Sequence, residues 1–497
     1  MSGRAREASR AQPWRDLVGR DGELVEGAPE CRHAVERDNH SNIPRPKFRW
    51  LRERHLGRFG ARGLRGLGYN QWVSGDWICS SGLQQSRSRQ GFERSFATTR
   101  LLSHVSVTHG RALRVLSYTT LFPSPARPFH GLFIKNRIER LGRLCDLRVV
   151  APVSLLHLRG TCVPSEATLD GIRILYPKFA VIPRLFKFLD GRLLYLQSRG
   201  AVHRLLAERP IDVLDAHYAY PDGHAARLLA RDLGVPYVLS LRGSDAYVLS
   251  RFPARRRRIE QALAAAARIV TVSAALAEFA EGLGAQHERI RVIPNGVDTQ
   301  RFRPLDRNEA RAARRIPEGT TLLLSVGRLD AVKGFDLFLH GVARLAKRSP
   351  ASVRCVILGE GPARARLAAL VTSLGLEGRV DLPGWVAPED LPTWYAAADL
   401  FVLLSESEGW PNVVVEALAC GAPVIASKVG GIPEMISDRV NGFLLSERTP
   451  EATAECLARG IDRTWNRDAI QRSPVVRDWT DTAKLQLDVL REAANEP

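Results

Sequence analysis

Several features that define other classes of protein are scarce or missing in this sequence. Its 497 residues hold only seven cysteines, and no two of them form a C-x-x-C pair, which argues against a zinc ribbon and a thioredoxin-type redox site. Scattered cysteines within apolar runs are typical of reduced, buried thiols. No run of about 18 uncharged apolar residues occurs, so we expect no transmembrane helix. No signal-peptide pattern opens the chain, and we therefore predict a cytoplasmic protein.

The first 110 residues differ in composition from the rest. They are rich in Arg, Gly and Ser and lack periodic apolar runs, so we predict that residues 1–110 form a poorly ordered extension. Residues 45–54 mix basic and aromatic side chains, a pattern that also occurs in nucleic-acid-binding arms. Since Met1 is one of only two methionines, we expect translation of the native protein to begin near Val105 or Val107 on a non-ATG codon. The net charge of +19 is not confined to this segment, because the remaining residues are basic as well.

Short apolar runs alternate with helical patterns from residue 113 onward. The predicted strands form two series, residues 113–118, 147–151, 213–217, 237–241, 268–273 and 290–294, and then residues 322–326, 353–358, 380–382, 400–404 and 424–426. Strands that alternate with helices form right-handed βαβ units and a parallel sheet. Two series predict an α/β protein with two Rossmann-like domains, at residues 111–294 and 295–479, facing each other across a cleft. Ligands of such sheets bind beyond the carboxyl ends of the strands.

The loop after the first strand of the second series has the composition of an anion-binding site. Residues 327–334 read GRLDAVKG, with glycine at both ends and two cations, Arg328 and Lys333, five residues apart. Gly327 lets the backbone approach a ligand, and the helix that starts after Gly334 offers unpaired N–H groups. A diphosphate fits this combination, whereas the sequence matches neither the Walker pattern nor G-x-G-x-x-G. The alternative is that both cations are solvated loop residues.

A second motif places two carboxylates eight residues apart. Glu408 lies in the loop after a predicted strand, and Glu416 lies within the next helix on an otherwise apolar stretch. A buried carboxylate needs a partner, and the hydroxyl pair of a ribose would satisfy Glu416. The loop at residues 409–413 has backbone N–H groups suited to sugar hydroxyls and phosphate. The alternative for Glu416 is an exposed position in which its carboxylate pairs with the helix dipole.

Together these motifs resemble the retaining glycosyltransferases of family 4 (glycosyl transferases group 1), which have the GT-B fold. The resemblance covers roughly residues 113–490, and its further C-terminal motifs lie at residues 292–298, 358–362, 384–386, 430–434 and 441–445. The N-terminal half is similar at residues 122–123, 131, 176–179, 215–217 and 242–245. These N-terminal motifs look most like those of members that act in teichuronic-acid and other exopolysaccharide biosynthesis.

The resemblance implies a role for each motif residue. The C-terminal domain would bind a nucleotide-diphosphate sugar as the donor, with Arg328, Lys333 and Glu408 as the catalytic residues. The other donor-binding residues that the family implies are Gly327, Gly384, Trp385, Val386, Gly409, Trp410, Asn412, Val413 and Glu416. The residues implied for the acceptor side of the cleft are Gly131, His217, Arg242 and Asp245. The last helix, at residues 480–494, would cross back to the N-terminal domain.

Two departures from common motifs bear on the mechanism. Many family members carry His at the position of Arg242, but an arginine cannot act as a base at neutral pH. Arg242 can hold a leaving phosphate or an acidic acceptor group, and His217 and His224 are nearby alternatives for a base. No D-x-D motif occurs in the sequence. We therefore expect no metal and no other cofactor, with Arg328, Lys333 and backbone donors neutralising the leaving group.

The predicted function is retaining, metal-independent transfer of a sugar from a UDP- or GDP-sugar to a saccharide or lipid-linked saccharide in the synthesis of a cell-surface polysaccharide or glycolipid. One alternative is a non-transferring sugar-nucleotide epimerase of the same fold. Another is a basic membrane- or nucleic-acid-binding protein, which the arginines at residues 255–258 would favour, although we expect no nucleic-acid partner. Residues 173–206 mix aromatic and cationic side chains, which suits docking on the anionic inner leaflet of a membrane. The alternative for that segment is a buried helix with a basic outer side.

Overall fold

Two β-sheets packed against helices make up the part of the chain that the structure describes. The computed structural model describes residues 111–158, 160–183, 185–348 and 352–496. The extension predicted at residues 1–110 lies outside these ranges. The strands of the described chain are β1 (Arg114–Tyr118), β2 (Asp146–Val150), β3 (Val153–Ser154), β4 (Glu166–Leu169), β5 (Ile172–Leu175), β6 (Lys178–Phe179), β7 (Val213–His217), β8 (Tyr237–Ser240), β9 (Arg268–Thr271), β10 (Ile290–Val292), β11 (Thr321–Val326), β12 (Val353–Leu358), β13 (Val380–Gly384), β14 (Leu400–Leu403), β15 (Val424–Ala426) and β16 (Gly442–Leu444).

The first sheet has the strand order β10-β9-β8-β7-β1-β2-β5-β4. Its neighbouring strands run parallel, except that β4 at one edge runs antiparallel to β5. The central strand β1 is buried along its whole length and pairs with both β2 and β7. Such fully buried strands are typical of parallel sheets with helices on their faces. Because the strands are parallel, the carboxyl ends of β1, β7 and β8 meet at one edge.

The second sheet has the order β13-β12-β11-β14-β15-β16 and is parallel throughout. The strand order reverses between β11 and β14, which are neighbours in the sheet but are separated in sequence by two strands. A crevice opens at such a switch point, beyond the carboxyl ends of the strands. The loops that follow β11 and β14 therefore meet there. The strands β3 and β6 form a separate two-stranded parallel pair.

The helices connect successive strands and cover the sheets. They are α1 (Leu132–Leu141), α2 (Asp190–Glu208), α3 (His224–Leu233), α4 (Ser244–Tyr247), α5 (Pro253–Ala265), α6 (Ala274–Glu281), α7 (Arg307–Ala313), α8 (Phe335–Arg348), α9 (Arg364–Ser373), α10 (Leu391–Ala397), α11 (Asn412–Ala419), α12 (Pro450–Ile461), α13 (Arg467–Gln471) and α14 (Trp479–Ala494). Within the described ranges, no helix is both long enough and apolar enough to span a bilayer.

The linker between the sheets and the last helix lie side by side. The chain leaves the first sheet at Val292 and enters the second at Thr321. Helix α14 packs on α1 and on strands β7, β8 and β9 of the first sheet. A Cβ on Gly296 would lie 2.8 Å from Cα of Trp479, so the linker backbone contacts the first residue of α14 directly. This contact fixes the place where the chain passes between the two halves.

Candidate functional site

The turn after β11 brings one predicted cation against the loop after β14. Gly327 continues the pairing of β11 with β12, since its N–H donates to the carbonyl oxygen of Leu358, the last residue of β12, at 3.0 Å. Gly334 has a φ of +68°, and a Cβ there would lie 1.9 Å from the carbonyl oxygen of Leu404. Only glycine permits this approach. Lys333, the preceding residue, consequently reaches the loop after β14, and its Nζ lies 2.6 Å from Oε1 of Glu408.

The carboxylate of Glu408 is oriented by its surroundings. The hydroxyl of Ser405 donates to the same oxygen that Lys333 contacts, at 2.6 Å. Arg448 in turn holds this loop, because its guanidinium donates to the carbonyl oxygen of Ser405 at 2.6 Å and to the hydroxyl of Ser427 at 3.0 Å. The side chain of Glu408 is therefore positioned at the carboxyl edge of the sheet by the protein alone.

Arg328 stands apart from the pair of Lys333 and Glu408. Its side chain is 73% exposed, and its Nε lies 2.5 Å from Oδ2 of Asp330. An exposed ion pair of this kind contributes little to stability. The guanidinium is thus available to an anion that enters the crevice.

Glu416 lies in the second turn of α11 and is half-buried. Its Oε2 accepts a hydrogen bond of 2.9 Å from the hydroxyl of Tyr395, a fully buried residue. Burial raises the pKa of Glu416 to about 7, although the hydroxyl of Tyr395 and the charge of Arg301 act in the opposite direction. This position contradicts the alternative of an exposed carboxylate at the start of a helix, and it leaves Glu416 with one neutral partner for its charge.

The rim of the crevice beyond β13 carries three of the predicted donor-binding residues. Gly384 has a φ of +95°, and a Cβ there would lie 2.6 Å from Oε1 of Glu360. Trp385 follows with 52% of its surface exposed, whereas Val386 packs against the core. An exposed tryptophan at the edge of a crevice offers an aromatic face to a planar ligand.

Backbone from the two halves meets at the loops after β8 and β14. A Cβ on Gly243, which has a φ of +117°, would lie 2.7 Å from Cα of Gly409. A Cβ on Gly409 would lie 2.2 Å from the carbonyl oxygen of Arg242. Both loops can approach this closely because neither residue carries a side chain. The contact places Arg242 beside the loop that follows Glu408.

The loop at residues 409–413 leads into α11. Trp410 is buried, and in the described chain its Nε1 has no hydrogen-bond partner. Asn412 and Val413 are the first two residues of α11, and Oδ1 of Asn412 accepts a hydrogen bond of 3.0 Å from Nδ2 of Asn295 in the linker. The start of α11 is thereby tied to the segment that joins the two sheets.

Polar side chains beneath the first sheet's carboxyl edge fix His217 in one tautomer. Nη2 of Arg242 lies 2.7 Å from Nδ1 of His217, and Nε2 of His217 lies 3.0 Å from Oδ2 of Asp215. An arginine can only donate, so Nδ1 accepts and Nε2 carries the proton that points to Asp215. Burial lowers the pKa of His217, which keeps the ring neutral at pH 7. His217 is fully buried and has no free ring nitrogen to offer an acceptor hydroxyl.

Three further residues, Gln486, Arg137 and Asn295, close the contacts of Arg242, His217 and Asp215 into a ring of side chains. Nε2 of Gln486 in α14 donates to Oδ1 of Asp215 at 3.1 Å, and Nη1 of Arg137 in α1 donates to Oε1 of Gln486 at 3.0 Å. Oδ1 of Asn295 accepts from Nη2 of Arg137 at 3.2 Å and from Nη1 of Arg242 at 3.3 Å. The ring therefore joins the last helix, the linker and the cleft arginine.

The ring holds more positive than negative charge. Two guanidinium groups, of Arg137 and Arg242, share the single carboxylate of Asp215, and His217 is neutral. Burial lowers the pKa of Arg242 to about 10 despite the nearby carboxylates. Burial alone would raise the pKa of Asp215, but His217 and the other partners outweigh it and hold the pKa below its ordinary value. In the described chain Nε of Arg242 is also buried without a partner.

The remaining residues predicted for the acceptor side support the backbone. Asp245 is fully buried, and it accepts hydrogen bonds from the N–H groups of Ala219 at 2.8 Å, Arg242 at 3.0 Å and Gly243 at 2.8 Å. Gly131 precedes α1 with a φ of +71°. These two residues shape the loops of the cleft and do not present side chains to it.

Comparison with known proteins gives the family. The model for glycosyl transferases group 1 matches residues 306–471, and the model for glycosyltransferase family 4 matches residues 139–301. A D-inositol 3-phosphate glycosyltransferase of Nocardioides is 32% identical over 394 residues, which are 73% of this chain and 84% of that protein. This chain is a group 1 glycosyltransferase. A protein described as a putative teichuronic acid biosynthesis glycosyltransferase, TuaC of Bacillus subtilis, is 28% identical over 397 residues, covering 77% of this chain and 96% of TuaC.

Solved structures agree with the GT-B fold of this glycosyltransferase. Sucrose-phosphate synthase from Thermosynechococcus elongatus superposes with a TM-score of 0.63 at 19% identity, over 76% of this chain and 98% of that one. Anabaena HepE, solved in complex with UDP and glucose, gives a TM-score of 0.60 at 20% identity, over 76% of this chain and 99% of HepE. The predicted fold of two Rossmann-like domains is therefore confirmed.

The glycosyltransferase brings some predicted residues together and separates others. Lys333 and Glu408, which the sequence suggested independently, form an ion pair, while Arg328 pairs elsewhere. His217 and Asp245, predicted to line the acceptor side, are fully buried beneath it. Both accept hydrogen bonds from buried donors of neighbouring loops, and their role toward an acceptor stays a prediction.

Sequence reasoning missed the residues that support the glycosyltransferase cleft from a distance. Arg137 and Gln486 are separated by 349 positions in the chain, so no local pattern links them. A signal was present, because Arg137 and Gln486 interrupt apolar faces of α1 and α14, and a buried polar residue needs a partner. Tyr395 gave no comparable signal, since a tyrosine in a core helix is ordinary.

Proposed function

We propose that this protein is a retaining glycosyltransferase that moves a sugar from a UDP- or GDP-sugar to a saccharide or lipid-linked saccharide. The observation that carries the proposal is the convergence at one edge of the second sheet of the Lys333–Glu408 pair, the glycine turn with Arg328, and the start of α11. Cations and helix N–H groups suit a diphosphate, and an oriented carboxylate suits sugar hydroxyls. Glu416 is placed one turn further along α11, where it would accept hydrogen bonds from the ribose.

The proposed reaction needs no protein nucleophile. The bond between the sugar C1 and the donor phosphate breaks, a bond from C1 to the acceptor oxygen forms on the same face, and the departing phosphate takes the acceptor proton. The engagement of both nitrogens of His217 supports this route, because that residue has no free nitrogen with which to accept the proton. Arg328 and Lys333 would stabilise the charge that develops on the leaving group.

Two kinds of observation support an acceptor that carries an acidic group. The matched relatives are described as acting on D-inositol 3-phosphate or in teichuronic acid biosynthesis. In addition, Arg242 is a half-buried arginine beside the loop that follows Glu408. An acceptor with an acidic group would pair with its guanidinium.

We expect activity to persist in excess EDTA. The donor diphosphate would be neutralised by Arg328, Lys333 and backbone N–H groups, so that chelation removes nothing that the reaction uses. Release of nucleoside diphosphate from the donor, followed with and without EDTA, measures this. Loss of activity in EDTA with rescue by Mg²⁺ or Mn²⁺ would contradict the proposed site.

Donor affinity is expected to fall as the pH is lowered through about 7. Burial raises the pKa of Glu416 to about 7, and its carboxylate form accepts stronger hydrogen bonds from the ribose hydroxyls than its protonated form does. The donor therefore binds the deprotonated protein, so affinity rises with pH through this range and levels off above it. Titration of Glu416→Gln with the donor should show weak binding without this pH dependence.

A control is needed because burial also raises the pKa of Asp222 to about 7. Asp222 belongs to the first half of the chain, where it accepts hydrogen bonds from the backbone N–H and the hydroxyl of Thr120. Asp222→Asn should therefore retain the pH dependence of donor affinity. If the pH dependence disappears in Asp222→Asn and survives in Glu416→Gln, the assignment of this titration to Glu416 is wrong.

We also propose that residues 178–189 dock on an anionic membrane surface. In this segment Ile182, Leu185 and Phe186 are exposed, and Phe188 packs near Phe186 with ring centroids 6.3 Å apart. Helix α5, which carries the arginines at 255–258, contacts the same segment. Exposed apolar groups beside cations suit the interface between lipid headgroups and acyl chains.

Co-sedimentation with vesicles tests the docking surface. Binding to vesicles that contain anionic lipid should weaken with salt, and it should fall several-fold when Leu185 and Phe186 are both replaced by serine. Leu485→Ser, which changes an exposed leucine on α14, is the matched control and should bind normally. Equal recovery in the supernatant with neutral and anionic vesicles would defeat the membrane proposal and leave the transferase proposal standing.

A further inference from the structure

The loop between β1 and α1 carries side chains that the proposed donor site does not use. This cleft loop, residues 124–130, belongs to the first half of the chain, whereas the donor site proposed above lies in the second. We propose that the cleft loop completes the donor site, with Arg127 binding the diphosphate together with Arg328 and Phe129 closing over the nucleobase with Trp385. This inference rests on the proposed function and adds ligand contacts from the opposite domain.

An aromatic contact places the cleft loop against the base side of the crevice. The ring centroids of Phe129 and Trp385 lie 4.9 Å apart with the planes inclined by 41°. Phe129 is nevertheless 57% exposed and Trp385 52% exposed. Two large apolar rings that touch and still face water leave aromatic surface that a planar base would cover.

The cleft loop has a defined shape, so Arg127 has a defined position. The N–H of Arg127 donates to the carbonyl oxygen of Ser124 at 2.8 Å, and the N–H of Ser124 donates back to Arg127 at 3.3 Å. The N–H of His130 donates to the carbonyl oxygen of Arg127 at 3.2 Å. A Cβ on Gly131 would lie 2.2 Å from the carbonyl oxygen of Leu121, so the loop closes tightly at its end. A preformed loop loses little entropy when it binds a ligand.

The charges around Arg127 favour an anion between the two halves. In the described chain Arg127 has no ion-pair partner, and its pKa is lowered first by partial burial and then by the positive charge of Arg328. The neighbouring His130 adds no charge at pH 7, because burial, with Arg127 and His157 nearby, lowers its pKa to about 4. Two guanidinium groups that repel each other across a crevice would both be stabilised by a phosphate between them.

The position of these contacts favours the donor over the acceptor as the ligand. Arg328 and Trp385 both follow strands of the second sheet, at the edge where the donor is proposed to bind. Arg127 and Phe129 approach that same edge from the other half, and they do so two residues apart. Arg127 lies near enough to Arg328 to feel its charge, and Phe129 contacts Trp385, so the cation is assigned to the phosphate end of a nucleoside diphosphate and the ring to its base end.

Titration calorimetry with UDP, UMP, GDP and GMP tests the inference on the full chain. Arg127→Gln should weaken binding of the preferred diphosphate by about 10- to 100-fold, as expected for a lost hydrogen bond to a charged group. It should also reduce the ratio of diphosphate to monophosphate affinity, and Arg127→Lys should restore part of the loss. Phe129→Ala should weaken both nucleotides of the preferred base by a similar factor and leave the ratio unchanged.

Arg143→Gln is the matched control, because Arg143 is an exposed arginine of the same half of the chain, just after α1. It should bind all four nucleotides as the unchanged protein does, and melting curves should confirm that every variant is folded. Unchanged diphosphate affinity in Arg127→Gln, or an unchanged ratio, overturns the inference. If the unchanged protein binds neither UDP nor GDP, the failure lies with the proposed function instead.

Discussion

Replacing Lys333 by alanine is expected to lower the rate of sugar transfer by about 10²-fold or more, the scale of losing one group that stabilises the transition state. The Nζ of Lys333 is 2.6 Å from Glu408, at the point where the diphosphate and the sugar of the donor are proposed to meet. Its removal eliminates the positive charge that would stabilise the leaving group. It also removes the ion pair of Glu408, the carboxylate that is proposed to orient the sugar. Turnover at saturating donor is the quantity to measure.

Folding of Lys333→Ala should be little changed. Glu408 keeps the hydrogen bond from Ser405, and Lys333 itself lies in a turn at the edge of the sheet. Lys347→Ala is the matched control, since Lys347 is an exposed lysine on α8 in the same half of the chain. The variant Lys347→Ala should transfer sugar at the normal rate, and near-normal turnover in Lys333→Ala would refute the assignment of the site.

Replacing Asp215 by alanine is expected to destabilise the protein by about 3–5 kcal/mol, the usual cost of removing one partner of a buried ion pair. Asp215 is the single carboxylate of the ring, and its loss leaves the guanidinium of Arg137 without a countercharge and that of Arg242 with only the nearby Asp245. His217 would also lose the carboxylate that accepts its Nε2 proton. The midpoint of unfolding by urea at pH 7 should fall accordingly.

An exposed aspartate provides the comparison for that experiment. Asp481 in α14 pairs with Lys484 at 3.1 Å, with both side chains more than half exposed. Asp481→Ala should change the free energy of unfolding by no more than about 0.5 kcal/mol, as surface ion pairs usually do. Similar unfolding midpoints for Asp215→Ala and Asp481→Ala would show that the ring does not hold α14 and the linker against the first sheet.

The parts of the fold that sequence reasoning predicted are those with a strong local pattern. The buried, mainly apolar runs at residues 213–217 and 322–326 became β7 and β11, because parallel strands covered by helices are mostly apolar. The antiparallel pair of β4 and β5 was not predicted. Its strands have four residues each, and at the sheet edge β4 alternates exposed with half-buried positions while β5 alternates buried with half-buried ones, so no long apolar run marks them.

The same division holds for the candidate site. The eight-residue spacing of Glu408 and Glu416 placed both carboxylates at one edge of the sheet, because a strand end and the following helix fix their separation. The ion pair of Lys333 with Glu408 could not be predicted from sequence spacing, since it forms only because β11 and β14 are neighbours in the sheet. Arg127 was passed over for a similar reason, because its relation to Arg328 arises only when the two halves of the chain face each other.

The most direct test of the central claim is isothermal titration of the protein with a panel of UDP- and GDP-sugars, repeated with Lys333→Ala. We expect sugars of one base to bind in a single saturable event, and we expect that binding to weaken in Lys333→Ala because the diphosphate loses a cation. The absence of binding across the whole panel, or equal binding by Lys333→Ala, would contradict the account of a donor site at the carboxyl edge of the second sheet.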